Sequence, residues 1–167
     1  MSMAYGADYV GKTEITQSNQ FLKLFSNANK VIDCSKLILP ATTLASSCYK
    51  FMFSGCTSLV NAPVLPATTL ASSCYYSMFK DCTSLVNAPV LPATTLAYNC
   101  YFSMFSGCTS LNYIKAMFTT TPNTDYTDSW VYNVASSGTF VKNSAATWDV
   151  PGISGVPSGW TVETADA

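Results

Sequence analysis

The sequence predicts an α/β repeat fold: a solenoid with short parallel strands on its concave face, helices on its convex face and a cap at each end. Two observations carry this prediction. The segment LPATTLASSCY at 39–49 returns at 65–75 and, as LPATTLAYNCY, at 91–101. A second block, MF-x-x-CTSL, begins at Met52, Met78 and Met104, with the same spacing of 26 residues. A fixed period of this length indicates a repeat architecture.

The first half of each unit is predicted to be a helix. Seven positions between Leu44 and Cys56 keep the same residue in all three copies, at steps of 0, 1, 4, 5, 8, 9 and 12. Residues at this spacing share one side of an α-helix. We therefore expect that side to be buried and the variable side, where Lys50 becomes Tyr76 and then Phe102, to face solvent.

The second half of each unit is predicted to be a short strand. Its pattern matches the L-x-x-L-x-L strand of a leucine-rich repeat. It occurs as Leu59-x-x-Ala62-x-Val64, as Leu85-x-x-Ala88-x-Val90 and, more loosely, as Leu111-x-x-Ile114-x-Ala116. In the first copy we expect Leu59, Ala62 and Val64 to point inward. Pro63 and Pro89 are expected to face outward, where each removes one hydrogen-bond donor from the sheet.

The chain is predicted to be one continuous domain with three parts. Residues 1–20 form an N-terminal cap, and residues 21–118 hold the repeats, beginning with an imperfect copy that has two extra residues. Residues 119–167 form a C-terminal cap, because a stack of repeats needs atypical ends to cover its open edges. Within this cap we expect a helix from about Asp128, a strand at 138–142 and a short strand at 160–162.

The repeat resembles the bacterial BspA-like (Treponema-type) leucine-rich repeat family. The resemblance is carried by Phe53, Cys56 and Leu59 in the run F-x-x-C-T-S-L, by their copies 26 and 52 residues later, and by the L-P that follows the strand. The ending GTFVKN…W…SGVPSGWTV at 138–162 is similar to that of many such proteins from gut bacteria and associated phages. The family is associated with surface proteins that attach to host proteins or other cells. The resemblance therefore implies an extracellular, cell-surface or virion location.

Composition argues against several classes of function. Only 10% of the 167 residues are charged, the net charge is −1, and the lysines are scattered from Lys12 to Lys142. Clustered cations for nucleic acid or a charged membrane are therefore lacking. No segment has the ~20 apolar residues of a membrane span. The first twelve residues lack the features of a signal peptide, so we expect a cytoplasmic chain, a trimmed piece of an exported one, or part of a larger assembly.

Enzymatic chemistry is not expected. The sequence contains no His and no Arg, which removes the usual Ser-His and Cys-His dyads and the bidentate phosphate clamp. Asp125 and Asp128 are close in sequence, but acids at a helix N-terminus explain them. No cofactor is predicted.

Six of the seven cysteines fall into two registers, Cys48/Cys74/Cys100 and Cys56/Cys82/Cys108. Their gaps alternate between 8 and 18, whereas zinc sites use close pairs. A bridge between two helical turns would span roughly 12 Å, beyond the ~7 Å limit for a disulfide. We expect a ladder of buried free thiols, with bridges between repeats left open as the alternative. Cys34, in the insertion, is expected to be the most exposed.

Two surfaces are candidate ligand-binding sites. The concave face is predicted to present Asn61, Asn87, Tyr113 and Lys115. The helix face is predicted to present Phe51, Tyr76, Tyr98 and Phe102. The sequence thus predicts a non-enzymatic binding or adhesion module that recognises a protein or a glycan. The alternative is a structural spacer or scaffold within a larger surface or virion assembly. Which face binds, and the oligomeric state, stay open.

Overall fold

The computed structural model describes residues 13–165. It contains the strands β1 (Tyr113–Ala116), β2 (Thr139–Asn143) and β3 (Thr161–Ala165) and one helix, α1 (Thr124–Thr127), which lies between β1 and β2 in the chain. The strands form one parallel sheet in the order β1-β2-β3. The rest of the described chain is mostly turns and irregular segments that recur from unit to unit. Residues 1–12 of the predicted N-terminal cap lie outside the described residues.

The predicted helices are wrong. Residues 46–55, 72–81 and 98–107 are continuous turns, and in the described chain the only helix is the four-residue α1. The fold is therefore not a leucine-rich-repeat solenoid with a convex layer of helices. The positions predicted to lie on a helix face lie on stacked turns instead.

The turn segments repeat every four residues, whereas an α-helix repeats every 3.6. The backbone φ angle is positive at Ser47 (55°), Phe51 (57°) and Gly55 (76°), and again at this spacing in the following units. These angles are left-handed, and an α-helix of L-residues does not contain them. The four-residue spacing of the constant positions is therefore the period of consecutive turns.

Hydrogen bonds join each turn segment to the next unit. The N–H of Tyr49 donates to the carbonyl of Cys74 at 3.0 Å, and the N–H of Phe51 donates to the carbonyl of Tyr76 at 2.9 Å. The residues in between bond within their own turn, as Lys50 does. Because every second N–H crosses to the neighbouring unit, the 26-residue units stack in register without forming regular strands.

The strands predicted at 59–64 and 85–90 are reduced to isolated bridges. Asn61 pairs with Asp33, and Asn87 pairs with Tyr113. Prolines within these segments have no N–H to donate, which limits the ladder to single pairs. Regular strand begins at β1, the third copy, where Lys115 stands in place of the proline.

The predicted orientation of side chains in these segments is wrong in part. Leu59 is buried, as predicted, and Ala62 is partly buried. Val64, however, is 71% exposed, and Pro63 is buried. The predicted inward and outward positions are therefore exchanged at the end of this segment.

Two columns of stacked rings run through the core, with one ring from each unit; the first ring of each column is partly buried and the others are buried. Neighbouring ring centroids lie 5.3–6.0 Å apart, and the ring planes are within 17° of parallel. Such ring pairs add about 0.5–1.5 kcal/mol each beyond their buried area. The columns are Phe21, Tyr49, Tyr75 and Tyr101, and Phe25, Phe53, Phe79 and Phe105.

Residues 119–165 pack on the last repeat. The Trp130 ring lies 6.1 Å from Tyr101 and 6.2 Å from Phe105, at the end of both columns. The predicted strands in this region appear as β2 and β3. The helix predicted from about Asp128 is wrong, because α1 ends at Thr127 and turns follow it. Among the described residues, no helix has the length and hydropathy to cross a membrane.

Candidate functional site

Six exposed aliphatic side chains mark one face of the stacked units. They form two columns with one residue from each unit: Ile32, Val60 and Val86, and Ile38, Val64 and Val90. Their exposed fractions run from 36% to 71%. In the next unit the corresponding positions are Asn112 and the buried Ala116, so both columns end there. We call these six residues and the groove between them the valine face.

A groove of about 280 Å³ lies within the valine face. Its lining joins the two columns through three of their four valines and includes side chains between them: Val60, Asn61, Ala62, Pro63, Val64, Asn87, Ala88, Pro89 and Val90, with Ser35 as well. A second groove, of about 230 Å³, shares Ser35 and Val64 with the first and extends past Ile38. The face is therefore an open aliphatic surface with two amides in its floor.

The structure places two of the four predicted concave-face residues in the groove and two outside it. Asn61 and Asn87 lie together in the groove. Tyr113 and Lys115 lie on β1, one unit further along, and outside the groove lining. Tyr113 nevertheless continues the row, because it pairs with Asn87 in a parallel bridge.

Asp33 lies beside the groove, in the imperfect copy that precedes the unit of Asn61. Its carboxylate accepts a hydrogen bond from the backbone N–H of Ser35 at 2.7 Å. That bond, with smaller contributions from the Ser35 and Asn61 side chains and from Lys36, lowers the pKa of Asp33 below its ordinary value. Asp33 is therefore an exposed, ionised group at this end of the valine face at neutral pH.

Three of the four predicted aromatic residues form a cluster on the turn segments. Tyr76 and Phe102 stack with centroids 4.5 Å apart, and Phe51 meets Tyr76 edge-on at 5.4 Å. Lys50, which holds the equivalent position one unit earlier, places Nζ 4.2 Å from the Tyr76 centroid. Tyr98 is 61% exposed and makes no ring contact with the described residues. Both faces of the Tyr76 ring are thus occupied.

Phe51 adopts a backbone conformation that is uncommon for a bulky residue. Its φ is 57°, and the equivalent Ser77 and Ser103 have φ of 49° and 48°. Lys23 and Lys50 place Nζ 5.7 Å and 5.4 Å from the Phe51 ring centroid. Cation–π contacts therefore hold this ring on the surface.

The cysteine ladder lies in the core, as predicted. All six register cysteines are fully buried and free. The thiols of Cys82 and Cys108 donate to carbonyls of the preceding units, at 3.2 Å and 3.0 Å. Burial raises the pKa of the Cys48 thiol to about 12. These thiols are therefore neutral, and poor nucleophiles, at physiological pH.

Cys34 was predicted to be the most exposed cysteine, and with 9% exposure against 0% for the other six it is. Its side chain is nevertheless buried, and burial raises its pKa to about 11. Cys34 stays in register with the stack despite the insertion near it, because its N–H donates to the Asn61 carbonyl of the next unit at 2.8 Å.

Of the two acids expected at a helix N-terminus, Asp125 lies there and Asp128 does not, because it follows the last residue of α1. Asp125 lies in the first turn of α1, where its N–H donates to the Asn123 side chain at 2.8 Å. Asp128 follows the helix and accepts from the Ser129 hydroxyl at 3.2 Å. Within residues 13–165, no three His, Cys, Asp or Glu side chains are grouped so that they could hold a metal ion.

Sequence reasoning missed the column of Ile38, Val64 and Val90. Val64 ends the L-x-x-L-x-L strand pattern and was therefore expected to point inward with Leu59 and Ala62. The sequence feature that could have revealed this column is Pro63, which cannot donate to a ladder and here takes the buried position.

The fold and these surfaces define a repeat protein whose 26-residue units stack through turns and expose one aliphatic and one aromatic surface. Comparisons with protein-family models, with curated proteins and with solved structures find no match to this chain.

Proposed function

We propose that the chain is a non-enzymatic binding module that recognises a protein through its valine face. The observation that carries this proposal is the pair of exposed aliphatic columns, which are 36–71% exposed and flank a groove of about 280 Å³. A contiguous apolar surface of this kind commonly marks a protein interaction site. Fully burying one such side chain contributes about 1.5–3 kcal/mol, so six partly exposed ones supply substantial affinity.

The chemistry of the groove favours a protein ligand over a glycan. Valine, isoleucine, alanine and proline side chains complement apolar side chains and offer few hydrogen bonds to sugar hydroxyls. Asn61 and Asn87 are the polar side chains in the floor, and an amide pairs well with peptide groups. The aromatic cluster is less suited to stacking a sugar, because Phe102 and Lys50 occupy the two faces of the Tyr76 ring.

We further propose that the module belongs to a bacterial surface or phage virion protein. This location rests on the resemblance of the repeat and of residues 138–162 to the BspA-like family, not on the fold. The neutral, hydroxyl-rich composition is compatible with an extracellular surface. The role as an adhesion module follows from that location together with the valine face.

Binding of the purified chain to arrays of host proteins, bacterial surface proteins and glycans tests this proposal. We expect protein binding that is lost in Val64→Asp and weakened in Asn87→Ala. Val162→Asp is the matched control, because Val162 is 45% exposed but lies on β3, away from the groove. Tyr76→Ala tests the aromatic cluster. Glycan-only binding, protein binding that survives Val64→Asp, or no binding by the folded chain would contradict the proposal, and the last result favours a spacer.

A further inference from the structure

We propose that the first turn segment of the stack, residues 18–27, is a docking edge for the turn segment of another repeat protein of this kind. None of its residues lines the grooves of the valine face, so the inference goes beyond the function proposed above. It rests on backbone carbonyl groups that point the same way in every unit and lack partners in the first. A partner bound at this edge extends the stack by one unit.

Peptide groups in the turn segments are joined head to tail along the stack. The N–H of Phe21 donates to the Cys48 carbonyl at 2.8 Å, and the N–H of Tyr49 donates to the Cys74 carbonyl at 3.0 Å. Because Cys48 and Tyr49 share one peptide group, these bonds form a continuous chain, which runs on through the later units with bonds of 3.0–3.1 Å. Three parallel chains, with bonds of 2.7–3.0 Å, start at the N–H groups of Lys23, Phe25 and Asn27.

All four chains point in the same direction, with carbonyl groups toward the first segment and N–H groups toward the last. Peptide dipoles aligned in this way add up, as they do in an α-helix, and leave partial negative charge at the carbonyl end. The N–H end is covered by the C-terminal region. There the Ser129 N–H donates to the Ser154 hydroxyl at 3.3 Å, and the Val131 N–H donates to the Ile153 carbonyl at 3.2 Å.

The carbonyl end of the stack is open. Within residues 13–165, no hydrogen bond reaches the four backbone carbonyls that begin the chains, whereas their counterparts in the next units all accept one. Gln20 adds a further acceptor, since its side-chain oxygen is buried and has no hydrogen-bond partner. An acceptor left unpaired away from water costs about 1–3 kcal/mol, so a ligand that covers this edge must supply donors. The four carbonyls belong to Gln20, Leu22, Leu24 and Ser26.

Side chains of the first segment are exposed where their counterparts are buried. Leu24 is 39% exposed, whereas Met52, at the same position in the next unit, is 1% exposed. Leu22 is 41% exposed. Phe21 and Phe25 are only partly buried, because among the described residues each of them stacks on one ring and not between two. The edge therefore combines a row of acceptors with the apolar ends of both ring columns.

A turn segment of the same kind matches both properties. At the junctions inside the stack, a carbonyl row is covered by the preceding segment, which presents every second N–H and one ring for each column. A second copy of this chain does not offer that surface, because residues 153–154 already cover its N–H end. Residues 1–12 are fewer than the 26 that lead from one segment to the next. The partner is therefore a repeat protein whose last turn segment leaves its N–H groups free.

An NMR titration of the isotope-labelled full chain with a synthetic peptide tests this edge. The peptide has the sequence of residues 96–109, kept reduced, and contains a turn segment whose N–H groups donate to the next unit within the chain. We expect saturable shifts of the backbone amides at 20–27, with dissociation in the millimolar range because a free peptide must first be ordered. N-methylation of the peptide at Tyr101 and Phe105 removes two donors and keeps the side chains, which should weaken binding about tenfold.

Two variants of the full chain locate the binding site. Leu24→Asp places a negative charge at the carbonyl end and should abolish the shifts caused by the peptide. Val64→Asp, on the valine face, should leave them unchanged. Thermal unfolding checks that both variants fold, and the comparison of the two peptides on the wild-type chain decides the question if Leu24→Asp does not.

The inference is overturned if the peptide causes no shifts at 20–27, if the N-methylated peptide binds equally well, or if Val64→Asp abolishes the shifts. Equal shifts caused by arginine amide at the same concentration would also overturn it, because the edge would then bind a cation and not a turn segment. These outcomes are distinct from failure of the proposed function, since binding on the protein arrays depends on Val64 and not on Leu24.

Discussion

The carboxylate of Asp81 lies where a side chain on Gly107 would begin. Asn27 occupies the same place relative to Gly55, two units earlier in the stack. The four residues hold equivalent positions in successive units, and all have positive φ. Polar residue and glycine therefore alternate along the stack, with each polar side chain lying over the glycine of the next unit. Gly55 and Asp81 hold equivalent positions in consecutive units. In the sequence this difference looks like free surface variation, but the packing constrains it.

Gly107→Ala should destabilise the fold. Gly107 has φ of 78°, where an alanine costs about 1–2 kcal/mol, and the new Cβ would also collide with Asp81. We therefore expect the free energy of unfolding in urea to fall by more than the backbone cost alone. Gly152→Ala gives a comparison without a collision: Gly152 has φ of 108° and nothing within 4 Å of the added Cβ, so its loss comes from the backbone alone.

Combining Gly107→Ala with Asp81→Gly measures the collision separately. The double variant should recover the part of the loss that comes from Asp81 and keep the part that comes from the backbone. A double-mutant cycle with no coupling between the two sites would show that the carboxylate does not constrain Gly107.

Phe79→Ala should be among the most destabilising single changes. Phe79 is fully buried and stacks between Phe53 at 5.5 Å and Phe105 at 5.8 Å. Removing such a ring costs about 3–5 kcal/mol, measured by equilibrium unfolding. Tyr98→Ala, at an exposed position, should change stability by less than about 0.5 kcal/mol. Comparable losses in the two variants would contradict the buried ring column.

Stability should fall in alkali because of the buried thiols. Burial raises the pKa of Cys48 and Cys100 to about 12, from an ordinary value of 9.0. Between these values the unfolded chain releases thiol protons that the folded chain keeps, so the free energy of unfolding falls as pH rises above about 9. The contribution is fully present at neutral pH and below.

Each such thiol adds about 1.4 kcal/mol per pH unit to that slope. Cys48→Ala should therefore show a shallower decline than wild type in unfolding measured from neutral pH to about 10.5. Met78→Leu, a buried change without a titrating group, should shift the curve and leave its slope unchanged. Equal slopes for Cys48→Ala and wild type would rule out this role for the thiol.

Phe51→Ser should leave the fold nearly as stable as wild type. The equivalent positions in the next two units are Ser77 and Ser103, with the same left-handed backbone. The loss of contacts with Lys23, Lys50 and Tyr76 is therefore offset by relief of a conformation that disfavours bulky residues. Thermal unfolding checks this expectation, and a loss above about 2 kcal/mol would instead place Phe51 among the structural rings.

Comparison of the internal copies predicted the buried positions well. Cys48, Tyr49, Met52 and Phe53 are identical in each copy and are buried in the structure, because equivalent residues in stacked units meet the same neighbours. The same comparison also placed Asn61 and Asn87 on a shared surface. What it could not fix was the backbone that carries these positions.

The helix prediction failed because two periods are nearly equal over a short segment. Steps of 4 drift by only about 40° per step on an α-helix, so residues 44–56 fit one helical side and four-residue turns alike. Positive φ angles distinguish the turns from an α-helix. Ser, Asn or Gly would suggest such an angle, but the sequence has Phe51 at one of these positions. The column of Ile38, Val64 and Val90 was missed for a related reason, since the inward assignment of Val64 assumed a regular strand that Pro63 interrupts.

The position of the valine face depends on the stacking of the turn segments. Backbone proton NOEs in the folded chain test this stacking. We predict contacts between Tyr49 and the Cys74–Tyr75 peptide of the next unit, since the Tyr49 N–H donates to the Cys74 carbonyl at 3.0 Å. A continuous series of helical short-range NOEs through 46–55, with no contact to the next unit, would contradict the stacked-turn fold and the surfaces derived from it.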